Sequence, residues 1–79
     1  MKRITEGEKT NIIGSRIKEA RIKASMSQQQ LSNKLELIAV YVCRGSVSRI
    51  ENSERATNDI EIDAISKVLK VSLDDLFGR

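Results

Sequence analysis

The stretch Val42–Asn52, VCRGSVSRIEN, sets two arginines and two serines around a pair of aliphatic residues. Val47 and Ile50 are three apart, so on a helix they share one side, leaving Arg44, Gly45, Ser48 and Arg49 facing mostly away from it. What such a face offers is hydrogen-bond donation and positive charge. Bond-breaking chemistry is missing from the chain. It has no histidine and Cys43 is its only thiol, which excludes a catalytic triad, a Cys–His pair, a histidine metal site, a zinc finger and an internal disulfide. No carboxylates cluster at ligand spacing either, so the reading is a binding protein with no enzymatic activity, no cofactor and no metal.

The elements that must carry this face are helical. At 79 residues the chain is one small domain, near the size at which a single core just suffices. A composition of 39% hydrophobic and 32% charged residues suits a soluble globular domain rather than a disordered tail. Tyr41 and Phe77 are the only aromatics, so the core must come from Ile, Leu, Val and Ala, and the lack of proline favours helices over hairpins. The longest apolar run, Leu37–Cys43, is far too short to span a membrane, and MKRITEGEKT breaks into charges too early for a secretory signal. A reduced, cytoplasmic setting is expected. Net charge is +3, unevenly spread: residues 1–23 carry seven basic and three acidic side chains, residues 56–79 three and five. One end therefore favours a polyanion.

Residues 1–10 lack apolar periodicity and read as a flexible arm, with residues 11–79 forming the domain. Ile13, Ile17, Ala20 and Ala24 predict a first helix over about Asn11–Ser25, with Asn11 as N-cap. Ser27 and Gln30 have the spacing of a capping box, opening a second helix whose buried face is Leu31, Leu35 and Ile38, with Met26 as its hydrophobic staple. Val40 and Val42 alternate as in a short extended linker. A third helix over about Arg44–Asn52 follows, stapled by Val42 and Val47 if Cys43 is the N-cap. Asn58 and Glu61 repeat the capping-box spacing and open a fourth helix to about Lys70, with Ile62, Ile65, Val68 and Leu69, and Ile60 near the start, as its apolar face. Ser72 caps a fifth, where Asp74 and Asp75 suit the helix dipole and Leu73, Leu76 and Phe77 are apolar. Five short helices make an all-α domain.

In this order, RIKEARIKASMSQQQLSNKL, SVSRIEN and AISKVLKVSLDDLF resemble the lambda-repressor-like (Cro/xenobiotic-response-element) helix-turn-helix family over roughly Ile13 to Phe77. The resemblance implies a five-helix DNA-binding fold whose third helix enters the major groove. It implies base-reading positions at Arg44, Gly45, Ser46 and Arg49, and phosphate contacts from Gln28, Asn52 and Arg55, with Ser48 solvated or phosphate-facing. Arg21 and Glu51 match a structural ion pair. Arginine suits the reading role because its planar fork can donate two bonds to O6 and N7 of guanine. Ser46 can bond a backbone amide or a phosphate as readily as a base. Asn52 can equally end the helix in a left-handed conformation.

Three features depart from the pattern or stand outside it. Gly45 occupies a reading position yet reads nothing itself; it either lets the backbone approach the DNA or reduces the specific contacts. The segment from Leu35 to Ser46 is about five residues longer than the family's usual short turn between helices two and three. Tyr41 within it is expected partly buried with its hydroxyl in water, although reaching a phosphate is the other possibility. Cys43, beside Arg44 at a helix start, has surroundings that lower a thiol pKa, but a packing or capping role is expected. The function implied is a transcriptional repressor acting on double-stranded DNA as a homodimer. A protein-interaction module of the same fold, antitoxin-like or a regulator's partner, is the rival.

Overall fold

The computed structural model of the chain describes residues 10–79, so all of the expected arm except Thr10 lies outside the described residues. Five helices follow in order: α1 (Gly14–Lys23), α2 (Gln28–Leu37), α3 (Arg44–Glu51), α4 (Asp59–Leu69) and α5 (Leu73–Phe77). Among the described residues there is no strand. Ile13, Ile17, Leu31, Leu35, Val42, Val47, Ile50, Ala64, Ile65, Leu69 and Leu76 make a single aliphatic core, and Met26 packs on its edge. Each helix contributes to it, and α3 rests on both α1 and α2.

Local chemistry fixes the helix starts. In α2, Ser27 Oγ accepts from the Gln30 amide at 3.0 Å while Gln30 Oε1 accepts from the Ser27 amide at 2.8 Å. Asn58 and Glu61 repeat the exchange at α4, at 2.8 and 3.2 Å. Ser72 Oγ accepts from the Asp75 amide at α5. Each bond satisfies an N–H that the first helical turn would leave free. Asn11 acts from further upstream than expected. Its Oδ1 accepts from the amides of Ile13 and Gly14, and the helix proper begins three residues later.

The helix ends differ from the sequence reading in a consistent way. α1 stops at Lys23 and α4 at Leu69, because Ser25 and Lys70 adopt left-handed backbone. After α3 the left-handed residue is Ser53, with φ of 61°, whereas Asn52 stays at −89°. Ala39 plays the same part after α2. Beyond it Val40–Cys43 is a linker without helix, extended at Cys43, with Val42 buried in the core. Three apolar assignments are corrected: Ile38 and Ile60 are exposed rather than buried, and so is Ala24. Tyr41 is 74% exposed, not partly buried.

Residues ahead of α1 clamp the far end of α3. Asn11 Nδ2 donates to the carbonyls of Ile50 and Arg55, and the Thr10 amide and hydroxyl both donate to that of Ser53. The approach is so close that a Cβ on Gly14 would collide with the Ile50 carbonyl oxygen and lie 2.9 Å from that of Glu51. Gly45, by contrast, faces open space, its nearest neighbour being Arg49 Nη1 at 3.8 Å.

A second fixed point is Glu61, which accepts from Arg55 Nη1 at 2.9 Å and Nη2 at 2.8 Å. Those bonds, and then the Asn58 amide, hold its carboxyl below the ordinary carboxylate range against the opposing effect of burial.

Helix propensity alone predicts that alanine for glycine stabilises a helix by up to about 1 kcal/mol. Gly45→Ala is expected to raise the melting temperature by that mechanism. Gly14→Ala is expected to lower it, at a cost of about 1–3 kcal/mol, because a backbone cannot yield to overpacking as a side chain does. Thermal melts of the two variants check the contrast. Glu61, with its folded pKa depressed, stabilises the protein above its unfolded pKa, and that contribution is lost as pH falls through the folded value. Glu61→Gln retains a capping side chain without the charge, so its melting temperature should decline less than that of the wild type on acidification below the ordinary carboxylate range. Parallel pH series of thermal melts measure it.

Candidate nucleic-acid interface

The third helix divides sharply. Val47 and Ile50 are 2% and 1% exposed, and Glu51 is buried beside them. Arg44, Gly45 and Arg49 are exposed on the remaining surface, while Ser46 and Ser48 are half-buried at its margin. A row of side chains runs along the exposed face at helical spacing. Arg49 Nη2 donates to Ser46 Oγ at 3.2 Å, and Ser46 Oγ lies 3.5 Å from Cys43 Sγ. The serine therefore steadies the arginine rather than standing free. Neither Arg44 nor Arg49 pairs with a carboxylate among the described residues.

Cys43 is exposed, which corrects the packing role, and as a thiol it makes no side-chain capping bond. The Ser46 hydroxyl, then the Ser46 amide, and more weakly the Gly45 amide and the charge of Arg49, hold its pKa below the ordinary thiol value.

Two further arginines are spoken for. Arg21 Nε donates to Glu51 Oε2 at 2.6 Å and Nη2 to Oε1 at 3.0 Å, while Nη1 donates to the Met26 carbonyl at 2.7 Å. The Glu51 side chain is 1% exposed, so this pair lies inside the fold. Gln28 joins it, its Nε2 donating to Glu51 Oε1 at 3.1 Å. One amide hydrogen and the side-chain oxygen of Gln28 stay available at the start of α2. Arg55 is bidentate on Glu61 and also donates to the Ala56 carbonyl. Most of its donors are consumed within the domain. Asn52, the last cap of α3, is exposed.

The sequence reading missed the partners of these groups. Glu61 was visible as the third residue of a capping box, but nothing local marked it as the partner of Arg55 six residues earlier. Asn11 reads as a cap, and its other end, on the Ile50 and Arg55 carbonyls, has no sequence signal. Among the described residues no group of side chains could hold a metal ion, and no helix is long and apolar enough to cross a membrane.

Comparison with known proteins bears directly on this geometry. The family model described as "Helix-turn-helix" matches residues 17–76, from within α1 to within α5. No curated protein and no solved structure matched the chain. The matched region contains α2, the linker and α3 entire, together with both partners of the Arg21–Glu51 pair. The chain belongs to the Cro/xenobiotic-response-element helix-turn-helix family, the DNA-binding transcription regulators of lambda-repressor-like fold.

Proposed function

We propose that this protein reads a specific double-stranded DNA sequence with α3 in the major groove and represses transcription there, as a cytoplasmic homodimer. The division of α3 carries the reading: two aliphatic residues and a buried carboxylate on one side, and on the other two exposed arginines that meet no carboxylate among the described residues. A helix anchored in this way can present its charged face to base edges without losing its own packing. Arg49 is the principal base reader, and its bond to Ser46 limits the orientations its fork can take. Arg44, in the first turn, reaches a base edge or a phosphate. Ser46 supports Arg49 and meets a base only in sharing that bond, and Gly45 allows the backbone close to the groove floor.

Phosphate contacts would come from the free groups of Gln28, from Ser48 and Asn52, and from whatever donors Glu61 leaves to Arg55. Such contacts position the protein and supply salt-dependent affinity, while base contacts select the site. One module offers few base contacts, which favours a dimer on an inverted repeat with half-sites about one helical turn apart. Leu73, 45% exposed on α5, and half-buried Phe77 provide a surface for it, whereas Leu76 is committed to the core. Repression needs no more than occupancy of the site.

The rival reading, a protein-interaction module of the same fold, draws on exposed Leu37, Ile38 and Tyr41. Titration with bulk duplex DNA between about 50 and 200 mM salt separates the two. Binding that weakens steeply with salt supports the DNA reading; binding that is absent or insensitive to salt overturns it.

Within the DNA reading, Arg49→Ala should relax base preference by about 1–3 kcal/mol at one position while leaving the melting temperature nearly unchanged. Arg21→Ala should lower the melting temperature as well as binding, because it strands a buried carboxylate at a cost of about 3 kcal/mol. Selection of duplexes from a random pool, together with thermal melts of both variants, measures the difference, and equal small thermal effects would refute the division of roles.

A further inference from the structure

We propose that the linker Ile38–Cys43 belongs to the DNA-binding surface, with Tyr41 contacting the sugar–phosphate backbone beside the start of α3. This rests on the DNA reading above and extends it to a segment outside the two helices of the motif.

The geometry is set by Val42. Val42 is 3% exposed, buried in the core, while Tyr41 and Cys43 on either side of it are both exposed. Tyr41, Val42 and Cys43 line one shallow cleft with Ser46 from the first turn of α3 and with Ser32 and Glu36 from α2. Since Ser46 bonds Arg49, the tyrosine stands at the end of a continuous row: Tyr41, Cys43, Ser46, Arg49. A duplex that meets Arg49 and the start of α3 has its flanking backbone beside that row.

Chemistry favours a backbone contact over a base contact or a second protein. The Tyr41 hydroxyl has no hydrogen-bond partner among the described residues, and a phenol can donate to a phosphate oxygen while its ring covers a deoxyribose. The exposed Glu36 carboxylate repels phosphate from the α2 side of the cleft, which leaves the linker side, where Tyr41 stands, as the place of contact. Leu37 and Ile38 extend the exposed apolar surface, but three side chains fall well short of the roughly 800 Å² per partner that a stable protein interface buries.

Tyr41 is the only tyrosine and the chain has no tryptophan, so intrinsic fluorescence reports this side chain alone. Acrylamide should quench it freely in the unbound protein, and saturating duplex from the random-pool selection should protect it. Tyr41→Ala should bind that duplex about tenfold more weakly, with the melting temperature retained and Tyr41→Phe intermediate. The salt dependence should stay that of the wild type, because a neutral side chain displaces no counterion. A tyrosine still freely quenched in the saturated complex, or wild-type affinity in Tyr41→Ala, overturns the proposal. Protection that appears on raising protein concentration without DNA overturns it in favour of a second copy of the chain. If the wild type selects no duplex at all, the DNA reading itself fails, and this extension with it.

Discussion

A single buried carboxylate constrains the whole arrangement. Glu51 closes α3 from the core side, and its oxygens accept from Arg21 on α1 and Gln28 on α2. Arg21 also holds the Met26 carbonyl, one residue before the cap of α2. Three helices are thus tied through one charge that water cannot reach. Such a pair adds little net stability, since desolvating both ions offsets most of their attraction. Its value lies in exclusivity. Any tilt or slip of α3 would separate the carboxylate from its donors without exposing it, so competing packings are disfavoured far more than the native one is favoured.

The helix that benefits could not stand alone. α3 has eight residues, Gly45 in its first turn and no side-chain cap at Cys43, and isolated helices of that length are marginal in water. Its order is imported at both ends. Val42 enters the core just ahead of it, and Asn11 donates to the Ile50 carbonyl, which also accepts from the Ser53 amide. Gly14 makes that approach possible by having no side chain where the two backbones meet. A helix that presents side chains to a ligand has to be held close to productive geometry, and here neighbouring elements hold it.

What could be read from the sequence follows from how local each signal is. Capping boxes place both partners three residues apart, and Ser27–Gln30 and Asn58–Glu61 were legible for that reason. Helix ends were not, because the left-handed turns fall on Ser25, Ala39, Ser53 and Lys70 instead of the usual glycine. Ile60 was misassigned by counting apolar residues without angle: five residues before Ile65, it lies roughly 140° from it around the helix, and Glu61 takes the buried position. Of the site, the outward face of α3 was visible from Val47 and Ile50 alone. The pairing of Arg55 with Glu61 was hidden, since it depends on how the loop after α3 returns to α4.

That hidden pairing bears on where a net charge of only +3 is felt. Glu51 and Glu61 are both buried, and each is saturated by its own arginine. Neither can reach across to neutralise Arg44 or Arg49, and α3 carries no other acid. The same two carboxylates on the surface beside α3 would offset the charge of Arg44 and Arg49 at short range. Of these four arginines, Arg21 and Arg55 are internal partners, while Arg44 and Arg49 meet no carboxylate among the described residues, which leaves positive charge on the flank of α3. The fold and the electrostatics therefore share a cause: acids placed on the core side of their helices take arginines inside with them.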